Sequence, residues 1–599
     1  MQSTASPLDH PRPQFVRDNF TSLDGPWQFA HDTQQLGLRD RWFERSEPFS
    51  RIIEVPFPPE SSASGIGEDI DSPIWYRRTF IVEPRADERV LVHFEGIDYQ
   101  SSVWVNGTHL GDHEGSQARF SVDVTDAARE GENVLVVRAV DARSLEQPRG
   151  KQDWQAEPHA IWYWRTSGIW RSVWLERVPA VRLESIVLRP DDDLSSVRFE
   201  ARVAGALESG TCLELEFHHE GRLLARSSQE FISDVARGGT VLVHPGIGVE
   251  PESLWWTPES PVLIDVRARL VHDELVLDTV DSYLGLRTVS YDSTCVLLNG
   301  RPYFLRLVLE QGYWPDTHLA SPSAAALRRE VELVKELGFN GIRMHQTSAD
   351  PRFLALCDRL GLVVLADSAA AYEFSDLSLS RTVADMTALV RRDINHPSVI
   401  GWVPFNESWG LPALTTDAAQ RDAVRALTTL VRALDPSRLV VGNDGWEFVS
   451  GDFVGVHDYT QDPGVLRERY GSHEAAMATV AGVRPGGRAV VVPGSESAAG
   501  GLPILLSEFG GLSAHNASDA WSAYGDVLTP EGLARLVADM VAEIGEKSGL
   551  AGYCYTQLTD TVQEMNGLLT ERREPKCPPA VIRAALLGEA LLQENEVAR

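Results

Sequence analysis

The chain has 599 residues, more than one hydrophobic core accommodates, and about three domains are expected at roughly 100–200 residues each. Hydrophobic residues make up 43% and charged residues 24%, without a long low-complexity tract, which excludes a mostly disordered chain. The formal net charge is −31, from 55 basic and 86 acidic side chains. It argues against nucleic acid or anionic membrane as a partner, because phosphate binding needs Lys and Arg, and it favours solubility and a neutral or cationic ligand.

Residues 1–20 are polar and lack a basic segment followed by an apolar one, so no secretory signal is read. No apolar run approaches the ~20 residues of a membrane span. Cys212, Cys295, Cys357, Cys554 and Cys577 form no CxxC pair, so neither a zinc site nor a disulfide framework is expected. A reducing, cytoplasmic setting fits these features.

Residues 1–180 read as all-β. Short alternating runs recur at 76–82, 89–94, 102–105 and 133–140. Asn106-Gly107, after Val103-Trp104-Val105, is a type I′ hairpin signal. This spacing predicts a sandwich or jelly roll. Residues 181–287 are again all-β: Leu213, Leu215 and Phe217 alternate with charged residues, as do Ile264, Val266, Ala268 and Leu270. About 100 residues of this kind suit an immunoglobulin-like sandwich acting as a spacer.

From residue 288 to 599 apolar strand-like runs alternate with helical segments. The runs lie at 303–311, 339–346, 362–367, 399–407, 439–444, 453–459, 503–508 and 550–558. Ser321-Pro322 is read as an N-cap and first helical position, with Leu327, Val331 and Val334 on one helical face. Eight such units make a TIM (β/α)8 barrel. The pattern weakens after the sixth strand, where 483–501, rich in Gly, Pro and Val, resembles an insertion.

Reactive groups of such barrels sit at the C-terminal ends of strands. Glu407, in Trp402-Val403-Pro404-Phe405-Asn406-Glu407, ends strand four; Glu508, in Ile504-Leu505-Leu506-Ser507-Glu508, ends strand seven. A carboxyl there is costly unless paired or functional. Cleaving an acetal needs a carboxylic acid to protonate the leaving oxygen and a second carboxylate to attack or stabilise the oxocarbenium-like centre. Their pKa values must then lie apart. Either Glu alone is also compatible with a strand-end ion pair; two in matching places favour the chemistry.

The chain resembles glycoside hydrolase family 2, the family of β-galactosidases, β-glucuronidases and β-mannosidases. The likeness runs over essentially its whole length. Leu23-Asp24-Gly25-Pro26-Trp27, Phe94-Glu95-Gly96, Val103-Trp104-Val105-Asn106-Gly107 and Ser167-Gly168-Ile169-Trp170-Arg171 are similar to motifs of the family's sugar-binding domain. Leu298-Asn299-Gly300-Arg301-Pro302 resembles the start of its barrel. Asn406-Glu407 resembles its acid/base motif and Ser507-Glu508-Phe509-Gly510 its nucleophile motif. The resemblance implies a retaining mechanism through a covalent glycosyl-enzyme, with the two carboxyls about 5–5.5 Å apart.

Arg343 and His345 resemble the family's Arg-x-His pattern, which implies that Arg343 holds the nucleophile, while His345 suits a strand-end ion pair equally well. His457-Asp458-Tyr459 ends strand six, where the family places a tyrosine near the nucleophile, and His457 and Tyr459 are candidate binding residues. Asn406, Asp367, Glu373 and Gln311 are candidates for sugar hydroxyls, and Trp409, Trp446 and Tyr555 for a sugar face. The stretch 154–164, aromatic and polar, is read either as a loop over the barrel mouth or as sandwich core.

Departures from the family pattern bear on the substrate. Leu307-Val308-Leu309-Glu310-Gln311 lacks the Asn and His that touch sugar in better-known β-galactosidases. Glu564-Met565-Asn566-Gly567-Leu568 has no lysine where β-glucuronidases grip a sugar carboxylate, and adds an acid that repels one. The expected substrate is therefore a glycoside or oligosaccharide with a neutral terminal sugar, a β-D-galactoside first. A furanoside (β-D-galactofuranoside or α-L-arabinofuranoside) is the alternative within the family, and a non-catalytic carbohydrate-binding protein is the alternative outside it. The chemistry calls for no cofactor and no metal. Oligomeric state is left open.

Overall fold

The computed structural model describes residues 10–83, 85, 87–242, 251–514 and 527–588. Residues 1–9 of the N-terminal stretch read above for a signal lie outside these.

Two sheets build the first part. One orders its strands Phe20–Ser22, Val173–Pro179, Glu88–Phe94, Phe120–Asp123. The other orders them Arg51–Val55, Gly25–His31, Ile74–Val82, Gly131–Val140, Gln100–Val105, Thr108–Glu114. Strand alternation sends Trp27, Phe29, Val92, Phe94, Val103 and Val137 from both sheets into one core. At the expected hairpin, Asn106 (φ 50) and Gly107 (φ 80) are both left-handed, as a type I′ turn demands. A second sandwich follows. Its three-stranded sheet holds Arg182–Pro190, Ser196–Ala204 and Val235–Val241, and its four-stranded sheet is formed by Arg222–Glu230, Cys212–His219, Ile264–His272 and Leu275–Leu284. The alternating Leu213, Leu215, Phe217, Ile264, Val266, Ala268 and Leu270 are buried between them.

All eight strands expected of the barrel are present: β1 (Leu305–Glu310), β2 (Gly341–Met344), β3 (Val363–Asp367), β4 (Val399–Val403), β5 (Leu439–Val440), β6 (Val454–Asp458), β7 (Ile504–Gly510) and β8 (Gly552–Thr556). They pair in parallel in the order β5-β4-β3-β2-β1-β8-β7-β6. A short parallel pair, Phe405–Asn406 with Asn443–Asp444, continues β4 and β5. At the seam between β5 and β6 the Asp444 side chain lies against the backbone of β6: a Cβ on Gly455 would lie 1.6 Å from Asp444 Oδ1, so only glycine fits.

Helices α1 (Ala324–Glu336), α2 (Pro351–Leu360), α3 (Asp376–Asp393) and α4 (Ala418–Leu434) follow the first four strands. On α1, Leu327, Val331 and Val334 are buried as their spacing predicts. The cap differs from expectation. Ser323, extended at φ −169 and ψ 161, accepts from Ala326 N, so the helix starts at Ala324 and Ser321-Pro322 stay outside it. After β6 stand two short helices, α5 (Pro463–Tyr470) and α6 (His473–Gly482). The stretch 483–501 then packs on the loop after β5, with Phe448 N donating to Val490 O (2.7 Å) and Val492 N to Phe448 O (3.1 Å). Helix α7 (Pro530–Ile544) follows β7, and α8 (Pro579–Leu586) follows β8. No helix among the described residues is long and apolar enough to cross a membrane.

Candidate active site

The C-terminal ends of β2, β3, β4, β6 and β7 bring together eight of the residues singled out in the sequence: Arg343, His345, Asp367, Asn406, Glu407, His457, Tyr459 and Glu508. Glu407 follows the extension of β4, where the backbone turns left-handed at Glu407 (φ 52) and Ser408 (φ 55). Two non-glycine residues in that region cost on the order of 1 kcal/mol each. The turn is held by Ser408 N donating to Asn443 Oδ1 (3.0 Å) and Ser408 Oγ to Glu447 Oε2 (2.7 Å). Glu508 lies within β7. Carboxylate oxygens of Glu407 and Glu508 and a ring nitrogen of His457 all lie within 4.8 Å of one another.

Arg343, on β2, is fully buried. Its guanidinium spreads over three carboxylates: Asp367 (2.9 Å), Asp444 (2.6 Å) and Glu508 (3.2 Å). It also donates to Asn406 Oδ1 (2.7 Å), which fixes that amide and leaves the Asn406 nitrogen to donate elsewhere. Tyr459 donates its hydroxyl to Glu508 Oε2. Nδ1 of His457 lies 2.7 Å from Glu407 Oε1, and Nε2 lies 3.2 Å from Asp444 and 3.4 Å from Glu508. Gly445, at φ 85, permits this: a Cβ there would lie 2.4 Å from the His457 ring.

Burial alone would make His457 less basic, but Glu508, Asp444 and Glu407 outweigh it and push the imidazolium up to about 10. His457 is thus held as a cation between Glu407 on one side and Asp444 and Glu508 on the other. This arrangement of an imidazolium between carboxylates suits proton traffic. Asp444 is lifted by burial, yet Arg343 and His457 hold it down at about 2. Asp367 is pushed by burial up to about 7 against the pull of Arg343. Burial, then the charges of Arg343, Lys151 and His457, keep His345 neutral, with Nδ1 3.0 Å from Asp367.

Glu407 and Glu508 repel each other and titrate as a pair. Burial and the Glu407 charge push Glu508 up, against His457, Arg343 and Tyr459. Burial acts on Glu407 too, but the hydrogen bond and charge of His457 bring it below the usual carboxylate range. This is the reverse of the order that an acid role for Glu407 asks for: His457 lowers Glu407, while burial and the Glu407 charge raise Glu508. Replacing His457 by Asn removes the imidazolium charge and raises the Glu407 pKa. The general acid then stays protonated to higher pH, so the alkaline limb of kcat/KM is expected to move upward. An unmoved or lowered limb would show that His457 does not set the acid.

The remaining sequence candidates divide. Trp409 donates Nε1 to Glu407 Oε2 (3.3 Å), and its ring lies 6.4 Å from that of Trp446. Gln311 donates to Gln557 Oε1 (2.8 Å) while its own Oε1, like that of Gln346, is buried without a partner. Asp367 binds Arg343 and His345 rather than standing free for a hydroxyl. Two readings are corrected. Tyr555 is fully buried against Phe509 (5.5 Å) in the barrel core, so no ring face is open to a sugar. Glu373 is exposed on the loop after β3, which is tied to the first domain through Glu373 N and Leu145 O (3.1 Å), and it joins no part of the cluster.

The stretch 154–164 does reach the barrel mouth. Trp162 packs on Trp409 (5.4 Å) and Tyr372 (5.6 Å), and Tyr163 donates its hydroxyl to Glu564. Just before it, Gly150 (φ 61) lies so close to β2 that a Cβ would meet Gln346 O at 2.1 Å. That contact delivers Lys151, buried, with Nζ 5.5 Å from the Tyr163 ring centre. Its charge acts on Glu407, Glu564 and His345, yet among the described residues no carboxylate lies within ion-pair distance of it. Lys151 and Asp444 were missed in the sequence. Asp444 carried the same signal as the two glutamates, an acid ending a strand; Lys151 carried none, since it comes from another domain.

Residues 20–179 match the sugar binding domain of glycosyl hydrolases family 2, and residues 292–460 match that family's TIM barrel domain. β7 and β8, with Glu508, lie beyond the second match. A β-galactosidase of Thermoanaerobacter pseudethanolicus is 28% identical over 352 residues, 57% of this chain and 46% of that protein. A β-glucuronidase of Sus scrofa is 26% identical over 492 residues, 74% of this chain and 69% of that one. The chain thus spans less than half the length of the β-galactosidases it matches. Among solved structures, a β-glucuronidase from an uncultured Clostridium sp. superposes with a TM-score of 0.77 at 20% identity, covering 96% of this chain and 99% of that one. A β-galacturonidase from Eisenbergiella tayi gives 0.74 at 20%, covering 99% and 100%. At such identity the likeness is one of fold. With both matches falling on the domains that meet around Glu407, the chain belongs to glycoside hydrolase family 2.

Proposed function

We propose that this protein is an exo-acting retaining glycosidase for a neutral terminal sugar, with β-D-galactosides as the first substrates to test. The carrying observation is the distance between Glu407 and Glu508. Oxygens within 4.8 Å suit direct attack on the anomeric carbon, at about 5–5.5 Å between carboxyl groups, and leave no room for the water of an inverting site.

In the first step a Glu508 oxygen bonds to the anomeric carbon, the glycosidic C–O bond breaks, and Glu407 gives its proton to the leaving oxygen. In the second step Glu407 takes a proton from water, whose oxygen displaces Glu508 and restores the starting configuration. Arg343 and Tyr459 orient Glu508 for attack and receive its charge again when it leaves. The unpartnered acceptors Gln311 Oε1 and Gln346 Oε1 suit sugar hydroxyls, which donate.

One observation favours a second reading, a uronide. The missing lysine near Asn566 argued against it, but Lys151 puts an ammonium at the mouth from the first domain, and relatives in sequence and fold include β-glucuronidases and a β-galacturonidase. Nitrophenyl galactosides, galactofuranosides, arabinofuranosides, glucuronides and galacturonides separate these, with proton NMR of the first-formed anomer. An inverted product overturns the retaining mechanism. On the uronide reading, Lys151→Gln loses about 10-fold or more in kcat/KM on uronides alone, the worth of one charge-assisted hydrogen bond. On the galactoside reading uronides are not turned over by the wild type.

A further inference from the structure

Away from the site, a cleft of about 80 Å³ opens where the three domains meet. The N-terminal segment and first sandwich supply Arg12, Gln14 and Arg119; the second sandwich supplies the edge near Glu184; the end of α3 supplies Arg391 and Arg392. Two of the four guanidiniums are balanced locally, Arg12 by Glu95 (2.7 Å) and Arg392 by Asp393 (2.6 Å). Glu184 is exposed at the rim. Arg119 and Arg391 have no hydrogen-bonding or ionic partner among the described residues.

Three further features say that the space lacks an acceptor. Arg392 is buried with Nη1 unpartnered, and Gln14 is buried with Nε2 unpartnered; both line the cleft. Burial and the charges of Arg12 and Arg392 push the Arg119 guanidinium down to about 10, against the carboxylates of Glu95 and Asp393. Like charges gathered in a half-buried cleft are unfavourable unless an anion joins them. They stand out in a chain whose net charge is −31. At ~10–15 Å³ per water the cleft has room for about five to eight waters, enough for an oxyanion of five heavy atoms.

We propose that this three-domain cleft binds a phosphate group, held by Arg119, Arg391, Arg392 Nη1 and Gln14 Nε2, and that the bound anion locks the two sandwiches to the barrel. The source is either inorganic phosphate or the phosphate of a small phosphorylated sugar.

The test is thermal unfolding and calorimetric titration of the full chain with inorganic phosphate and, separately, glucose 6-phosphate, each against chloride at matched ionic strength. Matching matters because screening alone stabilises so acidic a protein. The expected result is a saturable rise in Tm with phosphate and not with chloride. Arg119→Gln and Arg391→Gln should weaken the apparent affinity about 10-fold or more, the worth of one charge-assisted hydrogen bond. Neither removes an ion pair, so their Tm in chloride should match the wild type. Lys151→Gln should respond as the wild type does, which excludes binding at the barrel mouth. Tighter, Arg119-dependent binding of glucose 6-phosphate assigns the group to a phosphorylated sugar; tighter binding of the free ion assigns it to inorganic phosphate. Equal responses to phosphate and chloride overturn the proposal, as does an Arg119→Gln response equal to that of the wild type.

Discussion

Glu508→Ala is expected to lower kcat on an aryl glycoside by on the order of 10⁵-fold if Glu508 is the nucleophile, because the group proposed to form the glycosyl-enzyme is removed. Glu407→Ala should behave differently. A nitrophenolate leaves without help, so its loss appears mainly with poor leaving groups, at about 10²–10⁴-fold. Azide separates the roles. In Glu407→Ala it attacks the glycosyl-enzyme and gives a glycosyl azide of retained configuration. In Glu508→Ala it takes the place of the nucleophile and gives the inverted azide. Exchanged outcomes would reverse the assignment, and equal inertness of wild type and Glu508→Ala across the panel would leave a carbohydrate-binding protein.

Arg343→Met should be the most destabilising single change in the site. Arg343 is fully buried and is the shared cation of Asp367, Asp444 and Glu508. Removing one partner of a buried ion pair costs about 3–5 kcal/mol, since the charge left behind has no water. Activity should vanish with it, because Glu508 loses its counter-charge and Asn406 the donor that fixes its amide.

The pH dependence has a definite sign. Asp444 is held at about 2, below its ordinary value, so its contribution is fully present above about pH 4 and is lost as pH falls towards 2. The gap between wild type and Arg343→Met should close over that range. Arg343→Met combined with Asp444→Asn should recover part of the loss, since the stranded charge is gone. A single variant as stable as wild type in urea unfolding would show that the carboxylates do not depend on Arg343.

The pair Glu407 and Glu508 was legible because each ends an apolar strand, where a carboxyl is costly and the strand count gives its place on the barrel. The eight strands were legible for the same reason: buried parallel strands are continuous apolar runs, and their bounds moved by only a few residues. The hairpin at Asn106-Gly107 was readable because a type I′ turn needs two left-handed residues, a purely local demand.

Where the demand is shared between two equivalent residues, the sequence does not choose. Ser321 and Ser323 both suit the cap of α1, and only the path of the loop put the second hydroxyl on Ala326 N. Tyr555 alternates with its neighbours on β8, and which of its faces is core depends on Phe509 from β7.

By itself the sequence determined the two sandwiches, the barrel and the two carboxyls, since each follows from hydrophobic period and strand-end position. Tertiary structure alone decided which charges surround them. His457 reaches Glu407 because Gly445 leaves space for its ring, and Lys151 reaches the barrel because Gly150 lies against Gln346, 196 positions away in the chain (346 − 150). Electrostatic coupling depends on distance in space, which strand periodicity does not encode.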